Sequence, residues 1–342
     1  MNIAVNTRAL SKKDIPKTFI EEIFIDLSKE KTNDNFIFFS DLKTISNPIA
    51  VKLWQNLQLP ALLKKGKADI LVNARVAGEI KTGIPQIQFI DGLSALIKLN
   101  KTIADTFQKA QRIIATTELA KKNLIERYKI DELKIDVIHL AAKKYFIPID
   151  WNEKQKILET RFNEKEYFLF VAETYHEEEL VNVLKAFSLF KKWQKSNMQL
   201  VIACKAESLP ESFTKSLRLY KYKDEVILQD FRDEELSKTY AAAYCFIHPA
   251  VKINYTDILQ AMQSNVPVIT TSNEITEEIC NDSVLSVSIN DPVQLSKNMI
   301  LIYKDEELRN ELVSKGAAQA SQYKYPETLE KLSLSIEKAL QG

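Results

Sequence analysis

Short apolar runs rich in β-branched and aromatic residues alternate along this chain with longer stretches in which apolar residues recur every three or four positions. Runs of the first kind suit buried parallel strands, and stretches of the second kind suit helices that cover a sheet. In the first half the pattern predicts strands at Asn2–Asn6, Phe36–Phe39, Asp69–Asn73, Gln86–Ile90, Arg112–Thr116 and Lys134–His139. Between them, Lys17–Lys29 places Ile20, Ile23, Phe24 and Leu27 on one helical face, and Glu118–Tyr128 does the same with Leu119, Leu124 and Ile125.

After Ala142 the alternation gives way to KKYFIPID, where Pro148 stiffens an extended segment, and then to a polar helix through Arg161. It resumes with strands at Tyr167–Val171, Gln199–Ala203, Val226–Leu228, Cys245–His248, Val266–Thr270 and Val284–Val287. Predicted helices at Glu179–Trp193, Asp233–Ala242, Thr256–Gln263 and Asn273–Cys280 separate these strands, and a helical tail runs from Pro292 to Leu340. This is the signature of α/β architecture with a mainly parallel sheet in each half. We expect two Rossmann-like domains facing a cleft, residues 1–147 and residues 148–342. Ligands of such sheets bind at the carboxyl ends of the strands.

Lys and Arg, 47 in all, nearly balance the 46 Asp and Glu, so no global field favours nucleic acid. Cys204, Cys245 and Cys280 show no CxxC spacing and suit reduced core thiols. His139, His176 and His248 are the only histidines, and no metal site is expected. No segment reaches the roughly 18 apolar residues of a membrane span, and the amino terminus lacks the apolar region of a signal peptide. The expectation is a cytoplasmic protein, or one peripheral at the inner membrane face.

Between Gly92 and Gly316 there is no glycine. Rossmann-type domains commonly use glycines at strand-to-helix turns, because a residue without Cβ lets the backbone approach a diphosphate.

Several segments carry a specific resemblance. YFLFVAETYHEEELVNVLKAFSLFKK, HPAVKINYTDILQAMQSNVPVITTSNEITEEI and the stretch from SINDPVQLSKNM to YPETLEKL, with IPQIQFID and RIIATTELAKKNLIERYKIDELKIDVIHLA in the first half, are similar to the group 1 (family 4) retaining glycosyltransferases. The resemblance implies the GT-B fold, with an acceptor-type first domain, a second domain that binds a nucleotide-sugar donor, and a terminal helix of the second that crosses back to the first.

It also implies roles for particular positions. Where the family carries two donor-site glutamates, this chain has Lys252 and Gln260. Gln260 is expected to meet the nucleotide ribose, and Lys252 to lie near the reacting sugar, the diphosphate or Asp257. Glu177 and Glu178 fall where the phosphate loop usually supplies cations, whereas Lys205 matches a lysine that reaches the phosphates. The same acidic run also reads as the first turn of a helix, favoured by the macrodipole. Asp91 takes the place of a family histidine and is a candidate general acid or base, but Asp followed by Gly at a strand end more commonly marks a turn. His248, in an apolar context, reads as a packing residue.

Two functions follow from the resemblance. The first is a protein with degenerate donor motifs, a pseudoenzyme, serving as a binding or scaffolding partner of an active glycosyltransferase in glycan synthesis. The alternative is a divergent active retaining glycosyltransferase, acting on a glycan or lipid-linked acceptor of cell-surface polysaccharide synthesis. No cofactor is expected beyond the nucleotide-sugar donor of that second case.

Overall fold

The computed structural model describes residues 1–7, 19–39, 53–74, 80–90, 101–172, 177–204, 209–231, 233–251 and 254–341. They form two compact units, Met1–Leu140 with Pro326–Gly342, and Ala141–Tyr325.

The first unit holds a six-stranded sheet of β1 (Asn2–Asn6), β2 (Asn35–Phe39), β3 (Ile70–Asn73), β4 (Gln86–Ile90), β5 (Arg112–Ala115) and β6 (Ile135–Val137). All pairings are parallel, in the order β2-β1-β3-β4-β5-β6. Among the described residues, apolar side chains of the strands and helices pack in clusters that include one built on Ala4, Leu71, Trp54 and Leu59 and another on Ile90, Ile113, Phe107 and Leu124. Where β1 and β3 end together, Asn6 donates from Nδ2 to Asn73 Oδ1 at 3.1 Å.

The helix Glu118–Tyr128 begins at Thr117, whose side chain accepts from Ala120 N–H, and ends at Lys129 in the left-handed conformation with φ 56°. Glycine is the usual residue there, and after other helices the chain places Asn163, Lys195, Asn265 and Asn281 at positive φ. This substitution of Asn and Lys is how a glycine-poor sequence still closes its helices.

The last helix, Tyr325–Gln341, belongs to the first unit from Pro326 onward. Leu329, Leu332 and Ile336 are buried, Thr328 donates to His139 O at 3.0 Å, and Ser335 donates to Asp136 Oδ2 at 2.8 Å. Asp136 also accepts from Arg112 Nε at 3.0 Å, from a second Arg112 nitrogen, and from Lys338 at 3.3 Å.

The second unit holds β7 (Tyr167–Val171), β8 (Gln199–Ala203), β9 (Val226–Gln229), β10 (Cys245–His248), β11 (Val268–Thr271) and β12 (Leu285–Val287), ordered β12-β11-β10-β7-β8-β9 and parallel throughout. This is the doubly wound order whose direction reverses between its first and fourth strands, here β7 and β10. Every residue of β7 and β8 is buried, as continuous apolar runs require of central parallel strands. Beneath them the helix Glu177–Gln194 contributes Phe187 and Phe190, the latter edge-on to Phe168 at 5.0 Å.

The strands lie where the apolar runs place them. Helices that the pattern does not bring out are Leu59–Lys65, entered through a π-turn at Trp54–Gln58, Lys101–Lys109 and Glu211–Arg218. Glu211–Arg218 has only eight residues, with Phe213 buried and Leu217 packed beside it on the same face, and is too short for a helical repeat to stand out.

Candidate functional site

The reversal point of the second sheet selects the site. β7 and β10 are neighbours, yet their following helices, Glu177–Gln194 and Tyr255–Gln263, each start from that end of the sheet. Two helix N-termini therefore open at the carboxyl ends of adjacent strands, presenting backbone N–H groups and the positive ends of two macrodipoles. An anionic ligand is what such an end attracts.

Three hydrogen bonds shape the turn after β10. Ala250 N–H donates to His248 O at 2.9 Å, Thr270 Oγ1 on β11 donates to the same carbonyl at 3.0 Å, and Val251 N–H donates to Glu179 Oε1 at 2.7 Å. Glu179 is only 3% exposed, whereas Glu177 and Glu178 beside it face solvent. The acidic run thus divides into two solvated carboxylates at the helix mouth and a third that ties the helix to the opposite turn. Glu179 shares a helical face with the buried Val183, Ala186 and Phe190, so the periodicity carried a signal for its burial.

His248 ends β10 at 1% exposure, its ring 5.7 Å from that of Phe246. Burial pulls its pKa down from 6.5 to about 4, so the imidazole is neutral near pH 7. Thr271, which ends β11, is fully buried, and its Oγ1 has no hydrogen-bond partner among the described residues. The next helix, Glu274–Cys280, starts in a capping box of Asn273 and Thr276. Burial pushes the Cys204 thiol, just past β8, up to about 11, which leaves it protonated and inert.

Of the residues singled out from the sequence, Gln260 lies on the helix Tyr255–Gln263 and is 5% exposed, and Glu177 and Glu178 open the helix Glu177–Gln194. Gln260, Glu177 and Glu178 therefore belong to the two helices that begin at the reversal point. Asp91, Lys205, Lys252 and His176 lie outside the described residues. Among the described residues no group of three His, Cys, Asp or Glu stands together as a metal site. No described helix is long and apolar enough to cross a membrane.

Residues 152–319 match the family model of the glycosyl transferases group 1. The chain is similar to O-antigen chain mannosyltransferase B of Escherichia coli, 21% identical over 238 residues, covering 66% of this chain and 60% of that protein. It is also similar to O-antigen chain mannosyltransferase RfbU of Salmonella typhimurium, 23% identical over 186 residues, 54% of this chain and 48% of that protein. The chain thus spans roughly half to three fifths of these curated relatives. Among solved structures, HepE of Anabaena in complex with UDP-glucose superposes with a TM-score of 0.77 over 98% of this chain and 99% of that one, at 11% identity. A likeness at that identity speaks for fold alone, and the fold is GT-B: two units, each with a parallel six-stranded sheet and its helices.

Proposed function

We propose that this chain, whose residues 152–319 match the family model of the glycosyl transferases group 1, is a divergent active member of that family that transfers a sugar from a nucleotide donor to a glycan or lipid-linked acceptor of cell-surface polysaccharide. Its two curated relatives are O-antigen chain mannosyltransferases, which favours a mannosyl or related hexosyl donor. The observation that carries the reading is the family match lying on a unit whose sheet reverses at β7 and β10, with two helix N-termini at that point.

In this reading the diphosphate sits before the N-termini of Glu177–Gln194 and Tyr255–Gln263, where backbone N–H groups replace the attraction that a glycine-rich loop would otherwise bring. Gln260 meets the ribose, as an amide that can both accept from and donate to its hydroxyls. Lys205 and Lys252 are proposed as the phosphate cations and Asp91 as the group facing the reacting sugar. Glu179 serves by holding the turn after β10 in place, and it is a positioning residue.

The sequence departures at Lys252, Gln260, Glu177 and Glu178 suggested a protein without chemistry of its own that supports an active partner. Neither the family match nor the relatives favour that role, and an active enzyme accounts for both. The reading is tested by incubating the chain with UDP-glucose and GDP-mannose and following release of the nucleoside diphosphate. Slow hydrolysis of one donor, lost on Gln260→Ala, supports it; no hydrolysis of any hexosyl nucleotide, with or without a lipid-linked glycan acceptor, refutes it.

A further inference from the structure

The first unit carries a pocket that sugar transfer, as described above, does not use. It lies at the amino ends of β4 and β5, between the segment leading into β4 and the helix Lys101–Lys109, and has a volume of about 370 Å³. That is close to the smaller end of small-molecule sites.

β4 reads QIQFI, so Gln86 and Gln88 share one face of the strand. Their amides are used differently. Gln86 donates from Nε2 to Ile80 O at 2.7 Å and to Thr82 Oγ1 at 3.2 Å, and its Oε1 accepts from Asn73 Nδ2 at 3.4 Å. These bonds occupy the whole amide and fix the chain before β4 as a wall of the pocket.

Gln88 is 1% exposed and lines the same pocket, yet its Nε2 has no hydrogen-bond partner among the described residues. A buried amide donor left so is unfavourable, and a ligand oxygen reaching it would relieve the cost. Thr106, 4% exposed, adds a hydroxyl to the floor. The exposed Lys81 and Lys109 stand at the rim, and no Asp or Glu is among the described lining residues. A buried donor below and two cations above select an acceptor-rich anion.

We propose that this pocket binds a small oxyanion-bearing molecule of monosaccharide size. Its phosphate or carboxylate lies near Lys81 and Lys109, and an uncharged oxygen accepts from Gln88 Nε2. The site lies at the opposite end of its sheet from the carboxyl ends where nucleotides bind, and the inference stands whether or not the chain transfers sugars.

The test is calorimetry on the full chain with glucose 6-phosphate and glucuronate as the phosphate and carboxylate probes, and glucose as the uncharged control. One or both anions should bind at least about tenfold more tightly than glucose, as charge-assisted contacts imply. Gln88→Met keeps the volume but removes the donor, and should weaken that binding about tenfold while raising Tm, because a buried unpaired amide is gone. A side chain at Gly83 would enter open space, so Gly83→Glu should fold and weaken binding through repulsion at the rim. Lys81→Glu with Lys109→Glu should do the same. The proposal is overturned if neither anion binds more tightly than glucose, or if anion binding is unchanged by both Gln88→Met and Gly83→Glu in folded protein.

Discussion

Glu179 Oε1 accepts the backbone N–H of Val251 at 2.7 Å, joining the first turn of one helix to the turn that precedes another. The two residues flank the sheet's reversal point, and the bond sets the spacing of the two helix N-termini there. Glu179→Ala removes the acceptor of the part-buried Val251 N–H and should cost about 1 kcal/mol of stability in urea denaturation. Glu179→Gln keeps an acceptor and should cost clearly less. If the turn serves the donor, both variants should raise the donor KM more than they lower kcat, whereas a purely structural role would leave KM of the folded fraction unchanged.

Asp136 provides a second, independent test, now of the first unit. Desolvation, the largest single influence, raises its pKa, but hydrogen bonds from Arg112 and Ser335 and the charges of Arg112 and Lys338 outweigh it and hold the carboxyl below its usual 3.8. A depressed carboxylate contributes stability that is present above the unfolded pKa and lost as pH falls through the folded one. Wild type should therefore lose stability below about pH 4 more steeply than Asp136→Asn, and Ser335→Ala should cost about 1 kcal/mol near neutral pH. Parallel acid denaturation curves for wild type and Asp136→Asn would contradict this.

His248 behaves oppositely in charge but alike in direction. Its folded pKa of about 4 lies below the ordinary 6.5, so the unfolded chain binds the proton first. Stability is fully present above pH 6.5 and falls as pH drops toward 4, with a slope of up to about 1.4 kcal/mol per pH unit from this group. Guanidinium titrations of wild type and His248→Asn across that window should differ in slope, and equal slopes would show that the ring is not held neutral by burial.

Glu177 and Glu178 face solvent at a helix N-terminus, where they favour the helix, and with the diphosphate docked there as proposed they would oppose it. Replacing them together, Glu177→Arg with Glu178→Lys, should slightly destabilise the helix and tighten nucleoside diphosphate binding. The gain should be larger at low ionic strength, because screening weakens charge contacts near a surface. Affinity unchanged at every salt concentration in a folded variant would separate this helix mouth from the phosphates.

Much of the fold is legible in the sequence because parallel strands buried on both faces must be apolar throughout, as YFLFV and QLVIA are. Short helices such as Glu211–Arg218 span too few turns for a helical repeat to be told from chance. The site is less legible. Helical spacing sets Glu179, unlike the exposed Glu177 and Glu178, on the face of Val183 and Phe190, but nothing in the sequence pairs it with Val251, 72 positions away. Gln88 is likewise an ordinary strand residue until Gln86, two positions before it, is seen to occupy the nearby partners.

Equilibrium calorimetry with UDP- and GDP-linked hexoses reads donor binding at the reversal point of the second sheet. At least one donor should bind with a Kd well below about 1 mM, beyond roughly 4 kcal/mol, and Gln260→Ala should weaken it about tenfold, as a lost ribose contact does. Dissociation constants of millimolar or weaker for every hexosyl nucleotide, or tight binding indifferent to Gln260, would contradict donor binding there.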